Sequence, residues 1–217
     1  MLSQRRIEPE VMDSLPPEEA RPNLADLVQI NRRFGGHSTL LRTLKTTVPP
    51  KASFSLLDVG AASGDSARVI REHYPLAAVT SLDHNATNIE QAPRPKLLAD
   101  AFHLPFTERS FDYVLCSLFL HHFEDRQVIT LMKGIYQVAR RGVFILDLER
   151  HILPWLFLPA TRFLFRWNEV TVSDGVKSVR ASFRRRELQQ FAEAAGMANV
   201  KVQVFRPAFR LALTAVK

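Results

Sequence analysis

Three groups of residues in this chain have the types and spacing to do chemistry, and each follows an apolar run. The run Leu56-Leu57-Asp58-Val59 passes into Gly60-Ala61-Ala62-Ser63-Gly64-Asp65. Glycine at 60 and 64 opens backbone conformations closed to other residues, and the small Ala61, Ala62 and Ser63 keep the turn thin, so a ligand can approach the main chain. Amides at the start of the following helix then face that ligand, which suits a nucleotide-like molecule. A dinucleotide fingerprint spaces its glycines two and then three apart, whereas Gly60, Ala62 and Gly64 fall at steps of two, led by Asp58. Asp83, followed by His84, ends the next apolar run, where a carboxylate can accept from ribose hydroxyls or cap a turn. The third group is His121-His122, the adjacent imidazoles after Leu118-Phe119-Leu120. An imidazole near its ordinary pKa can take a proton from a hydroxyl or an acidic carbon. The plainer reading is that one histidine orients the loop and the other packs on a helix. With no third ligand identifiable nearby, no metal is expected.

Taken in order, Asp58-x-Gly60-x-Ala62-x-Gly64, Asp83, Ala99-Asp100-Ala101-Phe102-His103-Leu104-Pro105-Phe106, and Phe111-Asp112-Tyr113-Val114 followed by Leu120-His121-His122 form a recognisable series. It resembles the class I S-adenosylmethionine-dependent methyltransferases, in particular the small-molecule, ubiquinone/menaquinone-methyltransferase-like type, with Ala62 where the family's first motif carries its middle glycine. The resemblance implies S-adenosyl-L-methionine as cofactor, held by Asp58, Gly60, Ala61, Ala62 and Gly64. It implies ribose contacts at Asp83 and His84, and adenine contacts at Asp100 and at the backbone of Ala101. Cys116, Ser117 and Leu118 would lie along the methionine and sulfonium side. Arg32 or Arg33 could pair with the methionine carboxylate, with Arg33 the preferred site residue. The Asn/Asp-Pro-Pro-aromatic motif of many nucleic-acid amino-methylating enzymes is missing after the fourth run, which speaks against an amino nitrogen as acceptor. The expected function is therefore O- or C-methylation of an apolar, aromatic or polyketide-like small molecule, of the kind found in secondary metabolism. His121 or His122 would be the base. An RNA methyltransferase and a non-catalytic cofactor-binding or partner protein are the alternatives.

Composition bounds the rest. The 217 residues suit one domain, and 46% hydrophobic with 24% charged residues is ordinary for a globular protein. A net charge of +7 suits an anionic partner. Yet no extended Lys/Arg run interleaves with aromatics; Arg184-Arg185-Arg186 opens an expected helix and Arg140-Arg141 closes another, so nucleic acid is the lesser reading. The single cysteine, Cys116, leaves no internal disulfide and reads as a buried thiol. The first residues mix charges of both signs, unlike a secretory signal, and a cytoplasmic protein is expected. The most apolar window, Ile152 to Phe165, is too short to span a membrane. The oligomeric state is open.

The elements that must position these groups follow from periodicity. Residues 1–23, rich in Pro and Glu, read as an extended arm. Helices over Leu24–Arg33 and Ser38–Thr46, split by Gly35-Gly36, complete an N-terminal segment 1–53 expected to cover the cofactor cleft. From residue 54 to 217 strands and helices alternate: strands at 55–59, 78–82, 111–116 and 142–148, helices at 65–73 and 125–139. A helix over 184–195 ending at Gly196 and two strands, 200–205 and 210–216, close the chain, the short connection implying an antiparallel pair. The fold class is α/β: a Rossmann-like methyltransferase sandwich with a mostly parallel seven-stranded sheet, an antiparallel last strand and helices on both faces. The segment 151–182, with Trp155, Phe157, Phe163, Phe165 and Trp167, reads as an aromatic-rich insertion. It could cover an acceptor pocket, pack as a surface helix, or make peripheral contact with a membrane through Arg162 and Arg166.

Overall fold

The computed structural model describes residues 2–12 and 15–217. Two helices come first, α1 (Pro17–Arg33) and α2 (Gly36–Lys45). The alternating core follows as β1 (Phe54–Val59), α3 (Asp65–His73), β2 (Ala77–Asp83), α4 (Ala86–Glu90), β3 (Lys96–Leu98), β4 (Phe111–Ser117), α5 (Asp125–Val138) and β5 (Ala139–Leu148). Then come α6 (Ile152–Phe165), α7 (Glu169–Ala181), α8 (Arg185–Ala194), β6 (Val200–Phe205) and β7 (Arg210–Val216).

The strands form one seven-stranded sheet in the order β3-β2-β1-β4-β5-β7-β6. Strands β1 to β5 pair in parallel, while β7 runs antiparallel to both β5 and β6. Apolar residues crowd β1 and β4 because both faces of the sheet are covered. Leu57 and Val59 pack with Val128, Leu131 and Met132 of α5 and Leu188 of α8, while Leu56 packs with Leu40 and Leu44 of α2 and Ile70 of α3. The chain runs outward from β1 to β3 on one side and resumes at β4 on the other. The loops after β1 and β4 therefore flank the point where strand order reverses, the place where open sheets of this kind take ligands.

Three local features differ from the sequence expectation. Helix α1 starts at Pro17 rather than Leu24, because proline is compatible with a first helical turn and Glu18 and Glu19 lie favourably there; residues 1, 13 and 14 of the expected arm lie outside the described residues. Arg140 and Arg141 do not close α5 but open β5, where both are exposed and flank Asp112 at 3.2 and 3.1 Å. The three-residue β3 is too short to leave a periodic signal. The terminal strand pair is antiparallel as expected, with β7 inserted between β5 and β6.

Segment 151–182 folds as α6 and α7, which join the N-terminal segment. Asn23 and Asp26 of α1 both accept from the Thr171 hydroxyl at 3.0 Å, and Asp174 accepts from the amides of Val11 and Met12 at 2.9 Å. These bonds tie residues 11–12 and helix α1 to helix α7.

Candidate cofactor and acceptor cavity

The turn after β1 is held by its backbone. Gly60 and Gly64 adopt φ of +70° and +74°, and Ala62 adopts +45°. A Cβ on Gly60 would stand 2.4 Å from the Phe119 ring, and one on Gly64 would stand 2.6 Å from Pro93 Cδ. Close packing and left-handed backbone together demand glycine at both positions. The amides of Gly60 and Ala61 donate to Leu82 O at 2.9 and 3.0 Å, and that of Ala62 donates to Asp83 Oδ2 at 2.9 Å. Asp83 Oδ1 accepts from Asn85 N–H at 2.9 Å. The strand-end carboxylate thus fixes the turn while its remaining lone pairs stay available. Helix α3 begins without a side-chain cap, which leaves the amides of its first turn open to a ligand.

Three carboxyl groups, Asp58, Asp65 and Asp83, cluster around this turn. Asp58 is buried, and its Oδ2 has no hydrogen-bond partner among the described residues. Burial, reinforced by Asp83 and Asp65, pushes its carboxyl up to about 8. Asp65 has a partner, His37 of α2, whose Nε2 lies 2.8 Å from its Oδ2. A ligand bringing positive charge with ammonium and hydroxyl donors fits such a wall, and S-adenosylmethionine has these features.

One cavity of about 1140 Å³ gathers ten of the sequence-identified residues. They are Gly60, Ala61, Ala62, Asp83 and His84 from the loops after β1 and β2, Ser117, Leu118, His121 and His122 from the end of β4 and the loop after it, and Arg33 of α1. Leu118 holds a left-handed φ of +54° while its N–H donates to Leu146 O at 2.8 Å, which fixes the turn after β4. Asp58, Gly64, Asp100, Ala101 and Cys116 do not line the cavity. Asp58 and Cys116 are buried beneath it, and burial pushes the Cys116 thiol well up, as for an inert core thiol. Asp100 is exposed and engages the Phe102 amide at 2.9 Å and His103 Nδ1 at 2.7 Å.

The two histidines have different electrostatic surroundings. His121 is buried, with Nδ1 2.7 Å from Asp147 Oδ1 and Nε2 3.8 Å from Glu10 Oε1. Burial alone would disfavour its charge, but Asp147 and Glu10 raise its pKa to about 10. Glu10 also accepts from the Ser178 hydroxyl; burial works against its ionisation, yet the histidines bring it down to about 2. His122 stacks on His121 with centroids 4.3 Å apart, and burial followed by the neighbouring charge lowers it to about 4. At neutral pH His121 is an imidazolium and His122 is a neutral imidazole able to accept a proton.

Glu10, His121 and His122 are also the three groups whose ligand atoms lie within 4.8 Å of one another. Zinc bonds of about 2.1 Å bring tetrahedral ligand atoms to about 3.4 Å apart. The histidine nitrogens stand 3.8 and 3.9 Å from Glu10, and Ser178 already engages its Oε1, an arrangement that favours an ion-paired cluster over a metal centre.

Glu10 and Arg210 are among the cavity residues that were not identified from the sequence. Glu10 sits in a stretch without periodicity, and only the folded arm shows its buried destination. Arg210 opens β7, is 6% exposed, and donates to Asn31 Oδ1 at 3.3 Å while its Nε lacks a partner among the described residues. Burial lowers it to about 10, so it remains a cation at neutral pH. A charged residue opening the buried run Leu211-Ala212-Leu213 was its available signal. Arg32, Arg33 and Arg42 also line the cavity without ion pairs among the described residues.

Residues 57–146 match the family model described as a methyltransferase domain. Over 99 residues the chain is 31% identical to the demethylmenaquinone methyltransferase of Thermotoga maritima, a match covering 43% of this chain and 42% of that protein. The chain therefore spans less than half the length of that relative. Among solved structures, the plantazolicin methyltransferase BpumL in complex with SAH superposes with a TM-score of 0.70 at 16% identity, over 95% of this chain and 92% of that one. A SAM-dependent methyltransferase from Aquifex aeolicus gives a TM-score of 0.64 at 13% identity over 94% and 99%. Human N-acetylserotonin methyltransferase in complex with SAM gives 0.62 at 16% identity over 94% and 60%. Residues 57–146 thus match the methyltransferase-domain family model, and the chain shares the fold of the solved methyltransferases on which it superposes.

Proposed function

We propose that the chain transfers a methyl group from S-adenosyl-L-methionine to oxygen or carbon of an apolar small molecule. The observation that carries this reading is the continuity of one cavity between the glycine turn with its acidic wall and an apolar end. Leu24, Leu27 and Val28 of α1, Phe157 and Leu158 of α6 and Val179 of α7 supply that end. Glu10, His121 and His122 line the same cavity.

When bound, S-adenosylmethionine supplies an activated methyl carbon. The residues of this chain then position and desolvate the acceptor. Open amides at the start of α3, Asp83 and the ordered turn hold the donor side. Arg33 or buried Arg210 meets its carboxylate, because a guanidinium fork matches that group. Helices α1, α6 and α7 exclude water. Fixing two reactants as a near-attack pair contributes roughly 7–11 kcal/mol. The donor would supply the methyl group with its sulfur as the leaving group, and the acceptor oxygen or carbon would supply the bonding pair. The acceptor proton passes to neutral His122, while charged His121 orients it. Domains follow the same division: the described part of residues 1–53 and the insertion 151–182 roof the rest of the domain 54–217.

Apolar phenols and 1,3-dicarbonyl compounds incubated with methyl-labelled cofactor test the proposal. Label should pass to one of these classes and not to RNA. Transfer to RNA alone would favour the RNA reading, and transfer to neither class of small molecule would overturn the proposal.

A further inference from the structure

Helix α6 carries no acidic residue. Its exposed positions are Ile152, Leu153, Leu156, Pro159, Ala160, Phe163 and Leu164, every one apolar. At helical spacing they form a single stripe about 140° wide. Phe163 is 88% exposed and Leu164 77%, the largest such values among the exposed large hydrophobic residues. The other side of the helix faces the protein, with Phe157 at 4.7 Å from Phe34 and Leu158 buried. Single exposed apolar residues are ordinary, but an uninterrupted apolar helix face marks an interaction surface.

Charge and continuity indicate what covers it. Of the two basic residues beside the stripe, Arg162 lies on its flank at helical spacing and Arg166 caps the C-terminal end of α6; long cationic side chains so placed reach phosphate headgroups while the apolar face is immersed. Arg162 also pairs with Glu169, and Arg166 is exposed with no ion pair among the described residues. The chain as a whole carries +7. No helix among the described residues is long and apolar enough to cross a bilayer, so the surface is suited to lie in the interface plane. Leu153 belongs both to the exposed stripe and to the cavity lining, next to Pro154 and Phe157, so the apolar face continues into the mouth of the cavity.

We propose that the exposed face of α6 docks on an anionic bilayer and that the cavity draws an acceptor dissolved in that bilayer past Leu153. Docking is independent of the methyl-transfer reading; only the route of the acceptor rests on it. Co-sedimentation with vesicles of equimolar phosphatidylcholine and phosphatidylglycerol should capture the protein, with weaker capture by phosphatidylcholine alone or at high salt. The double variant Phe163→Glu, Leu164→Glu should bind the mixed vesicles at least about tenfold more weakly. Because neither residue lines the cavity, its affinity for S-adenosylhomocysteine should be unchanged. Absence of wild-type binding, equal capture by both vesicle types, or undiminished binding by the variant would overturn the proposal. So would a wild-type dimer that this variant converts to monomer without any vesicle binding, which would make the face a contact between copies. If the variant does not fold, vesicles with brominated acyl chains decide on the unmodified protein: quenched tryptophan emission, from Trp155 on α6, supports docking, and unquenched emission refutes it. A failure of S-adenosylhomocysteine to bind would instead count against the cofactor site and leave the vesicle result to stand by itself.

Discussion

Glu10 of the N-terminal arm stands 3.8 Å from Nε2 of His121, so this imidazole is shared between Glu10 on one nitrogen and Asp147, at 2.7 Å, on the other. Two carboxylates from opposite ends of the fold hold one cation. Its charge in turn keeps the stacked His122 neutral. The arm is therefore part of the electrostatics of the histidine pair.

Substituting His122→Gln should lower kcat about 100-fold for an acceptor that loses a proton, with affinity for S-adenosylhomocysteine unchanged. The acid limb of the wild-type kcat/KM profile should lie near the His122 value of about 4, because protonation below it removes the acceptor lone pair. A limb in the ordinary imidazole range, or an unaffected variant, would remove His122 from the chemistry.

In Glu10→Gln, His121 loses one of the two carboxylates that raise it, and its pKa should fall below about 10. Titration of the imidazole resonances by NMR reads this directly. An unchanged His121 value would show that Asp147 alone holds the charge.

Folding stability of the ligand-free protein should decline as pH rises through the alkaline range. His121, raised to about 10, contributes stability that is full below its unfolded value of 6.5 and lost as pH rises through 10. Asp58, raised to about 8, prefers its neutral form when folded, so stability also falls as pH rises from its unfolded value of 3.8 through 8. Thermal melting at successive pH values checks both contributions, and Asp58→Asn should flatten the decline. A melting temperature that climbs toward alkaline pH would contradict this assignment.

The turn after β1 allows opposite changes at neighbouring positions. Ala62→Gly replaces a side chain at φ +45° and should leave the melting temperature unchanged or raise it, since relief of about 1–2 kcal/mol of left-handed strain offsets about 0.4–1 kcal/mol of added chain entropy. Gly60→Val places a branched side chain against the Phe119 ring and should abolish cofactor binding. Wild-type affinity in the valine variant would show that the turn does not hold the ligand.

Much of this arrangement was legible because the chemistry is local. Asp58, Gly60 and Gly64 lie within one turn, and alternating apolar runs fixed α3, β6 and β7 at the observed limits. The rest depends on tertiary contact. Nothing near Glu10 signals burial between His121 and Ser178, and nothing near Arg210 signals that it meets Asn31 of α1. Arg140-Arg141 read as a helix end because their partner, Asp112, is distant in sequence. The adjacent histidines were visible as a pair, but their division into charged and neutral members needed Asp147 and Glu10 in place.

Titration calorimetry with S-adenosylmethionine and S-adenosylhomocysteine, on the wild type and Asp83→Ala, tests the cofactor site most directly. Both molecules should bind the wild type at a single site, and the variant should bind at least about tenfold more weakly, having lost a carboxylate acceptor for the ribose. No binding of either molecule to folded wild-type protein would contradict the assignment of the cavity.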